Sequence, residues 1–91
     1  MRYRWDARKR LSNLRKHGFD FRDAPSVFAG PTYTYEDDRF DYPEQRFVTL
    51  GLLKGVVVSI VHTELASVMG IISFRKATRY ETAIFFESLK D

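Results

Sequence analysis

Two cationic clusters near opposite ends of the chain contain the side chains best suited to chemistry. In the first cluster, Lys9, Asn13 and Lys16 are spaced i, i+4 and i+7, and His17-Gly18 follows. This spacing places the three side chains on one face of a helix. Two ammonium groups and an amide on one stripe are suited to holding phosphate. We therefore interpret Lys9, Asn13 and Lys16 as RNA-binding residues.

The second cluster comprises Arg75, Lys76 and Arg79, between the end of a predicted strand and the start of a predicted helix. A cation at a helix N-terminus opposes the helix dipole, so helix stability does not explain these residues. Arg46 opens another predicted strand, where it is either a further phosphate ligand or an ordinary edge charge.

These residue types fit RNA cleavage without a metal. The ribose 2′-OH attacks the neighbouring phosphate, so the protein must supply a proton carrier and cations that stabilise the charged oxygens. Histidine suits the first task because its pKa lies near neutrality. The predicted catalytic set is His17, Arg46, Arg75, Lys76 and Arg79. Two alternatives stay open: His17 equally fits a residue that satisfies the last carbonyls of its helix, and Glu81 fits a helix cap better than a general base.

Composition narrows the class of protein. The 91 residues are 44% hydrophobic and contain no cysteine, so we expect one domain over residues 1–91 without disulfides. We expect a cytoplasmic protein with no membrane association, since no apolar run is long enough to span a bilayer. No metal site or cofactor is predicted, because neither histidine has a carboxylate at ligand spacing. The net charge of +3 is unevenly distributed, with seven Lys or Arg in residues 1–18 and an acidic run over 36–44. This pattern predicts a basic surface for a polyanion.

The elements that position these residues follow from local signals. Asp6 as N-cap and Gly18 as stop predict a helix over 7–16, and Phe21–Phe28 predicts a short helix with an irregular start at Pro25. Strands are predicted over 32–35, 45–53, 56–63 and 68–74, with a two-residue hairpin turn at Lys54-Gly55. Thr78 and Glu81 form a capping box for a C-terminal helix. We therefore predict an α+β fold of two N-terminal helices, an antiparallel meander of about four strands, and a C-terminal helix.

Four sequence blocks match a known family in the right order. They are Trp5-Asp6-x-x-Lys9-x-x-x-Asn13-x-x-Lys16-His17-Gly18, Phe21-x-x-Ala24-x-x-Val27-Phe28, Glu44-x-Arg46-Phe47-x-x-x-Gly51 and Ile72-Ser73-x-Arg75-Lys76-Ala77-Thr78-Arg79-x-Glu81. With these blocks the chain resembles the BrnT-type toxins of bacterial type II toxin–antitoxin systems. The resemblance implies a RelE-like ribonuclease fold, metal-independent RNA cleavage that inhibits translation, and neutralisation by a cognate antitoxin. It further implies that this antitoxin is BrnA-like, with a ribbon-helix-helix domain, and that operator DNA is bound only through the complex.

Three positions depart from the family pattern. Leu65 and Gly70 stand where arginines are usual, and Phe85 or Phe86 stands where tyrosine is common. Missing arginines remove phosphate contacts or transition-state charge. The alternative function is therefore a weakly active or inactive toxin homologue that acts through antitoxin binding and operon autorepression. A third reading is an RNA-binding module without an antitoxin.

Overall fold

The computed structural model describes residues 1–90, in which helices pack on both faces of one five-stranded sheet. The α+β class is confirmed. The elements are β1 (Arg2–Arg4), α1 (Ala7–His17), a 3₁₀ turn (Phe21–Asp23), α2 (Ala24–Phe28), β2 (Tyr33–Glu36), β3 (Phe47–Leu53), β4 (Val56–Leu65), β5 (Val68–Lys76) and α3 (Arg79–Ser88).

The sheet is mixed, which corrects the predicted architecture. Strands β2 to β5 form the expected antiparallel meander, with β4 in the centre of the order β1-β5-β4-β3-β2. The chain begins, however, with β1, which lies parallel to β5 with Arg2 opposite Val68 and Arg4 opposite Gly70. The prediction of two helices before the first strand was wrong. Three residues are too few to show an alternating pattern, and their hydrogen-bonding partner lies far along the chain.

Local signals set the ends of α1 as predicted. The Asp6 side chain accepts hydrogen bonds from the backbone N–H groups of Arg8 and Lys9. At the other end Gly18 adopts a left-handed conformation with φ of 78°, and its N–H donates to the carbonyl of Leu14. Glycine takes this conformation without steric strain, so it ends the helix.

The irregular start predicted for the second helix is a 3₁₀ turn. The Asp20 side chain caps this turn by accepting from the N–H of Arg22. Pro25 then falls in the first turn of α2, where its missing N–H leaves no hydrogen bond unmade. The helix packs closely on β3, because a Cβ at Gly51 would lie 2.6 Å from Cγ1 of Val27.

The two faces of the sheet have separate cores. On the α1/α2 face, Phe21 and Val27 pack against Ile60, Ile71 and neighbouring residues. On the α3 face, Phe85 packs against residues that include Val48, Leu50 and Val57. Helix α3 packs mainly on β3 and β4, and it contacts the end of β5 through the hydrogen bonds between Arg75 and Glu81.

A β-bulge interrupts the middle of β5. Ser73 lies opposite Val61 and Ile71 lies opposite His62, so Ile72 is the extra residue. A bulge bends a strand and redirects its side chains, and such irregularities are common beside functional sites. The bulge thus gives the middle of β5 a local shape that a regular strand lacks.

His62 is part of the core. Its ring is fully buried, packs against Phe28 and Phe47, and lies 2.7 Å through Nε2 from Oγ1 of Thr49. Burial lowers the pKa of His62 to about 4, because desolvation disfavours the imidazolium. The histidine is therefore neutral at physiological pH.

Candidate functional site

One edge of α1 and the bulge of β5 form a groove whose helical wall is basic. Lys9, Lys16 and His17 line it from the helix, and Ile72 and Ser73 line it from the strand, enclosing about 290 Å³. No ion pair engages either lysine in residues 1–90, so both ammonium groups are free to meet an anion. The structure thus places four of the predicted site residues along this groove, since Asn13 also lines it.

The histidine of this groove has no capping role within the part of the chain that the structure describes. His17 is the last residue of α1 and is half-buried, and the hydrogen bond that closes the helix comes from Gly18 instead. No hydrogen bond engages its imidazole in residues 1–90. The imidazole is therefore free to contact a ligand in the groove.

Asn13 has a structural role that its spacing on the helix did not predict. Its side chain is only 7% exposed, and its Nδ2 donates to the carbonyls of Phe19 and Phe74 at 3.0 and 2.7 Å. Its Oδ1 accepts from the N–H of Phe74 at 3.0 Å. The amide thus pairs with the outer edge of β5 as a neighbouring strand would. Asn13 holds α1 against the sheet, and we leave it out of the proposed RNA-binding set.

Arg46 lies in a second groove that is continuous with the first. This groove of about 450 Å³ is lined by Arg46 and Glu44 and shares Lys9 and Ile72 with the groove beside α1. The guanidinium of Arg46 donates to Glu44 at 2.8 Å and lies 4.2 Å from the ring centre of Tyr42. An ion pair and a cation–π contact hold its orientation. Arg46 is therefore a positioned cation rather than a free edge charge.

The two positions at which the resemblance implies an arginine, Leu65 and Gly70, lie in different places. Gly70 lines the groove that contains Arg46, where Thr63 stands directly opposite it in the β4–β5 ladder. Leu65 lies at the β4–β5 turn and is 79% exposed. A Cβ at Gly70 would lie 2.6 Å from Oγ1 of Thr63, so the Thr63 side chain occupies the space beside this position, and Gly70 contributes no cation to the groove.

Arg75 is oriented by Glu81, the residue that also caps α3. Its Nη1 and Nη2 donate to the two carboxylate oxygens at 2.8 and 3.0 Å, and Nη1 also donates to the carbonyl of Lys76. Glu81 accepts in addition from the N–H of Thr78, which completes the predicted capping box. Burial raises the pKa of Glu81, but the hydrogen bonds from Arg75 and Thr78 outweigh burial and leave the pKa lowered. The pair is therefore ionised at neutral pH.

This ion pair leaves part of the Arg75 guanidinium unused. Of its five N–H donors, the one on Nε and the second one on Nη2 have no partner in residues 1–90. These two donors lie on one side of the planar group and match the spacing of two phosphate oxygens. Glu81 thus holds Arg75 in place while a donor fork remains for a ligand.

A small enclosed cavity next to this pair contains residues that the sequence did not single out. The cavity of about 180 Å³ is lined by Arg75 and Glu81, together with Tyr35, Asp37 and Arg39. Asp37 is buried and accepts two hydrogen bonds from the Arg39 guanidinium, which lower its pKa. Burial, and then the charge of Glu81, raise the pKa of Tyr35, so its hydroxyl stays protonated. In sequence Asp37 and Arg39 look like ordinary members of an acidic loop, and no local signal distinguishes them.

The remaining cations of the second cluster are exposed. Lys76 ends β5 and Arg79 is the first residue of α3, and no ion pair engages either within residues 1–90. They extend the positive charge beyond Arg75 without lining the grooves described above. Lys76 and Arg79 thus differ from Arg46 and Arg75, whose guanidinium groups are oriented by hydrogen bonds to carboxylates.

Fold and site together define a small α+β domain with basic grooves along one side of its sheet, which is a surface suited to a polyanion. No helix within residues 1–90 is long and apolar enough to cross a membrane. The family model for the ribonuclease toxin BrnT of type II toxin–antitoxin systems matches residues 5–81, so the chain belongs to this family and the resemblance is confirmed. Membership implies an RNA target and an antitoxin partner. A search among curated proteins finds no match.

Proposed function

We propose that the chain is a metal-independent endoribonuclease toxin, with a RelE-like fold, that acts in the cytoplasm and inhibits translation. The observation that carries the proposal is the pair of continuous grooves that join Lys9, Lys16 and His17 to Arg46. A proton carrier beside several cations is the minimum that RNA cleavage by transesterification requires.

In the proposed reaction the ribose 2′ oxygen attacks the adjacent phosphorus while its proton leaves to a base. The bond from phosphorus to the 5′ oxygen breaks, and that oxygen takes up a proton. The products are a 2′,3′-cyclic phosphate and a 5′-hydroxyl, so no oxidant or co-substrate is needed. His17 carries one of the two protons. The free donor fork of Arg75 binds the phosphoryl oxygens, and Arg46, Lys76 and Arg79 add positive charge.

Lys9 and Lys16 extend the RNA-binding surface along α1. Because these contacts are made to phosphates, they add affinity without sequence preference and weaken as salt displaces them. The antitoxin in this proposal is BrnA-like, with a ribbon-helix-helix domain, and binds operator DNA in complex with the toxin.

The test is cleavage of a defined RNA by the purified chain in EDTA, with and without ribosomes. We expect His17→Ala to lose cutting by at least a hundredfold, since a general acid–base contributes about 10² to 10⁴ in rate. Arg75→Ala should lose a similar factor, since removal of one donor to the transition-state charge costs about 10² to 10³. Arg15→Ala is the matched control, because this exposed arginine lies on the same helix outside the groove. Full activity of the His17 and Arg75 variants would refute the assignment of the site.

A second candidate function is supported by two observations. Gly70, where the resemblance implies an arginine, supplies no cation to the groove at Arg46, and in the separate cavity at Arg75 the carboxylate of Glu81 offsets the arginine's charge. Both reduce the positive charge available to a transition state. In this alternative the chain is an inactive or weakly active homologue that binds its antitoxin and contributes to operon autorepression. Folded wild-type protein that binds antitoxin without cutting RNA, with or without ribosomes, would favour it.

A further inference from the structure

The outer edge of β2 is unpaired in the part of the chain that the structure describes. β2 is the last strand of the sheet, and its four residues are all exposed. The N–H of Asp37 donates to the carbonyl of Arg46 at 2.8 Å, which fixes the alternation of the β2–β3 ladder. In an antiparallel ladder alternate residues face the neighbour, so the N–H and C=O groups of Thr34 and Glu36 point outward. This edge offers a template for one more strand.

An apolar groove lies beside this edge, between β2 and α3. Tyr33 lines it from the strand, Tyr80, Ala83 and Ile84 line it from the helix, and it encloses about 410 Å³. Tyr80 is 76% exposed and Tyr33 is 40% exposed. Further apolar side chains of α3, including Phe86, are also exposed although this helix already buries Phe85. A helix that is apolar on both sides is typical of one that has a second neighbour.

The charges at the end of β2 favour a basic partner. Glu36 and Asp38 are exposed and form no ion pair within residues 1–90, unlike Asp37 between them, which Arg39 neutralises. A strand laid along β2 would pass these two carboxylates after leaving the apolar groove. Complementary charge in that position would fix the direction and register of the added strand.

We infer that an extended segment of the antitoxin adds a strand to the free edge of β2. Its backbone pairs with Thr34 and Glu36, its alternate apolar side chains enter the β2–α3 groove, and a basic residue meets Glu36 and Asp38. The inference deepens the proposed function, because it names the surface by which the toxin is held. An extended segment is favoured over a helix because only an extended backbone can use the outward donors and acceptors of β2.

The same placement explains how binding would neutralise the toxin. Tyr33 lines the apolar groove, and Tyr35, two residues along on the same face of β2, lines the cavity that contains Arg75 and Glu81. A strand that occupies this edge therefore lies against the wall of that cavity.

The test measures the affinity of the cognate antitoxin for matched variants by isothermal titration calorimetry. Glu36→Pro removes one outward N–H, whereas Glu36→Ala removes the same carboxylate and keeps the donor. We expect at least tenfold weaker binding for Glu36→Pro than for Glu36→Ala, and at least tenfold weaker binding for Tyr80→Ala than for wild type. Leu65→Ala, at an equally exposed apolar position at the β4–β5 turn, should stay within twofold. Thermal melting verifies that each variant is folded.

Amide hydrogen exchange gives a readout that a merely structural effect would not produce. The amides of Thr34 and Glu36 should exchange rapidly in the free chain and slowly in the complex. Protection of the α3 groove without protection of these amides would indicate a docked helix and overturn the inference. Slow exchange in the free chain would indicate a second copy on the edge, and it would overturn the inference as well.

The proposed ribonuclease activity and the proposed docking surface are tested by independent measurements. Wild-type affinity of both Glu36→Pro and Tyr80→Ala refutes the docking surface while RNA cleavage is unaffected. If the wild-type chain does not cut RNA but both variants bind the antitoxin more weakly, the docking surface is supported and the ribonuclease activity is refuted. Absence of any antitoxin binding by the wild-type chain overturns the docking surface and the proposed neutralisation, and the cleavage assay alone then decides the enzyme activity.

Discussion

Replacement of Asn13 by alanine should destabilise the fold far more than an ordinary change on a helix surface. The substitution removes three hydrogen bonds, two of which join α1 to the buried edge of β5 at Phe74. It leaves the N–H and C=O of Phe74 without partners in a site that water does not reach easily. Each lost bond is worth about 1 kcal/mol, and a buried group left unsatisfied costs about 1 to 3 kcal/mol.

The expected loss is therefore about 3 kcal/mol, a large part of the roughly 5 to 15 kcal/mol that stabilises a typical domain. At about 4 to 8 °C per kcal/mol for a domain of this size, the melting temperature should fall by about 12 to 24 °C. Urea unfolding followed by circular dichroism measures the change. The control is Ser12→Ala on the same helix, at an exposed position that should change stability by less than about 0.5 kcal/mol.

Asn13→Asp separates the structural role from a role in RNA binding. Aspartate keeps the acceptor for the N–H of Phe74 but aims a charge at the carbonyls of Phe19 and Phe74. Its folded pKa should be raised, so the stability of this variant should be greatest at low pH and fall as pH rises. A loss below about 1 kcal/mol for Asn13→Ala, together with weakened RNA binding by folded protein, would refute the structural assignment.

Three further predictions concern charge. Hydrogen bonds from Arg10 and from the N–H of Arg22 lower the pKa of Asp20 from 3.8 to about 2. The Arg10–Asp20 ion pair therefore contributes stability above pH 3.8 that is lost as pH falls towards 2, where the melting temperatures of wild type and Asp20→Asn should converge. Because burial lowers the pKa of His62 from 6.5 to about 4, stability should fall as pH drops from 6.5 to 4, and an NMR titration of its ring should give the low value; a ring that titrates near 6.5 would contradict its burial. Lys9→Ala should reduce the salt dependence of RNA binding, lowering the slope of log K against log salt by about 0.7 if this ammonium contacts a phosphate; an unchanged slope would remove Lys9 from the interface.

The positions of several elements could be predicted because their signals are local. Asp6 and Gly18 fix the ends of α1 through contacts within a few residues. Lys54 and Gly55 both adopt positive φ, as a two-residue hairpin turn requires, and the Thr78–Glu81 capping box forms within one helical turn. Such interactions depend on residues close together in the chain, so the sequence displays them directly.

The family could also be recognised from the sequence, because its motifs are runs of residue types in a fixed order. The blocks that end at Glu81 agree with the matched residues 5–81. The sequence did not show in the same way which of those residues are free to bind RNA. A spacing of i, i+4 and i+7 puts Lys9, Asn13 and Lys16 along one face of the helix. It does not show that the side chain of Asn13 is hydrogen-bonded to the backbone of β5.

Tertiary structure alone decided the pairings that join distant segments. The amide of Asn13 meets Phe74 across 61 positions of sequence, and β1 meets β5 across a similar separation. The Arg75–Glu81 ion pair forms because β5 ends close to the start of α3. Asp37 and Arg39 line the same cavity as this pair only because β2 lies at that end of the sheet. Contacts of this kind depend on how the elements pack, and short segments contain no periodic signal for them. The sequence by itself therefore determined the local elements and the family, whereas packing determined which polar groups are held within the fold and which stay free for a ligand.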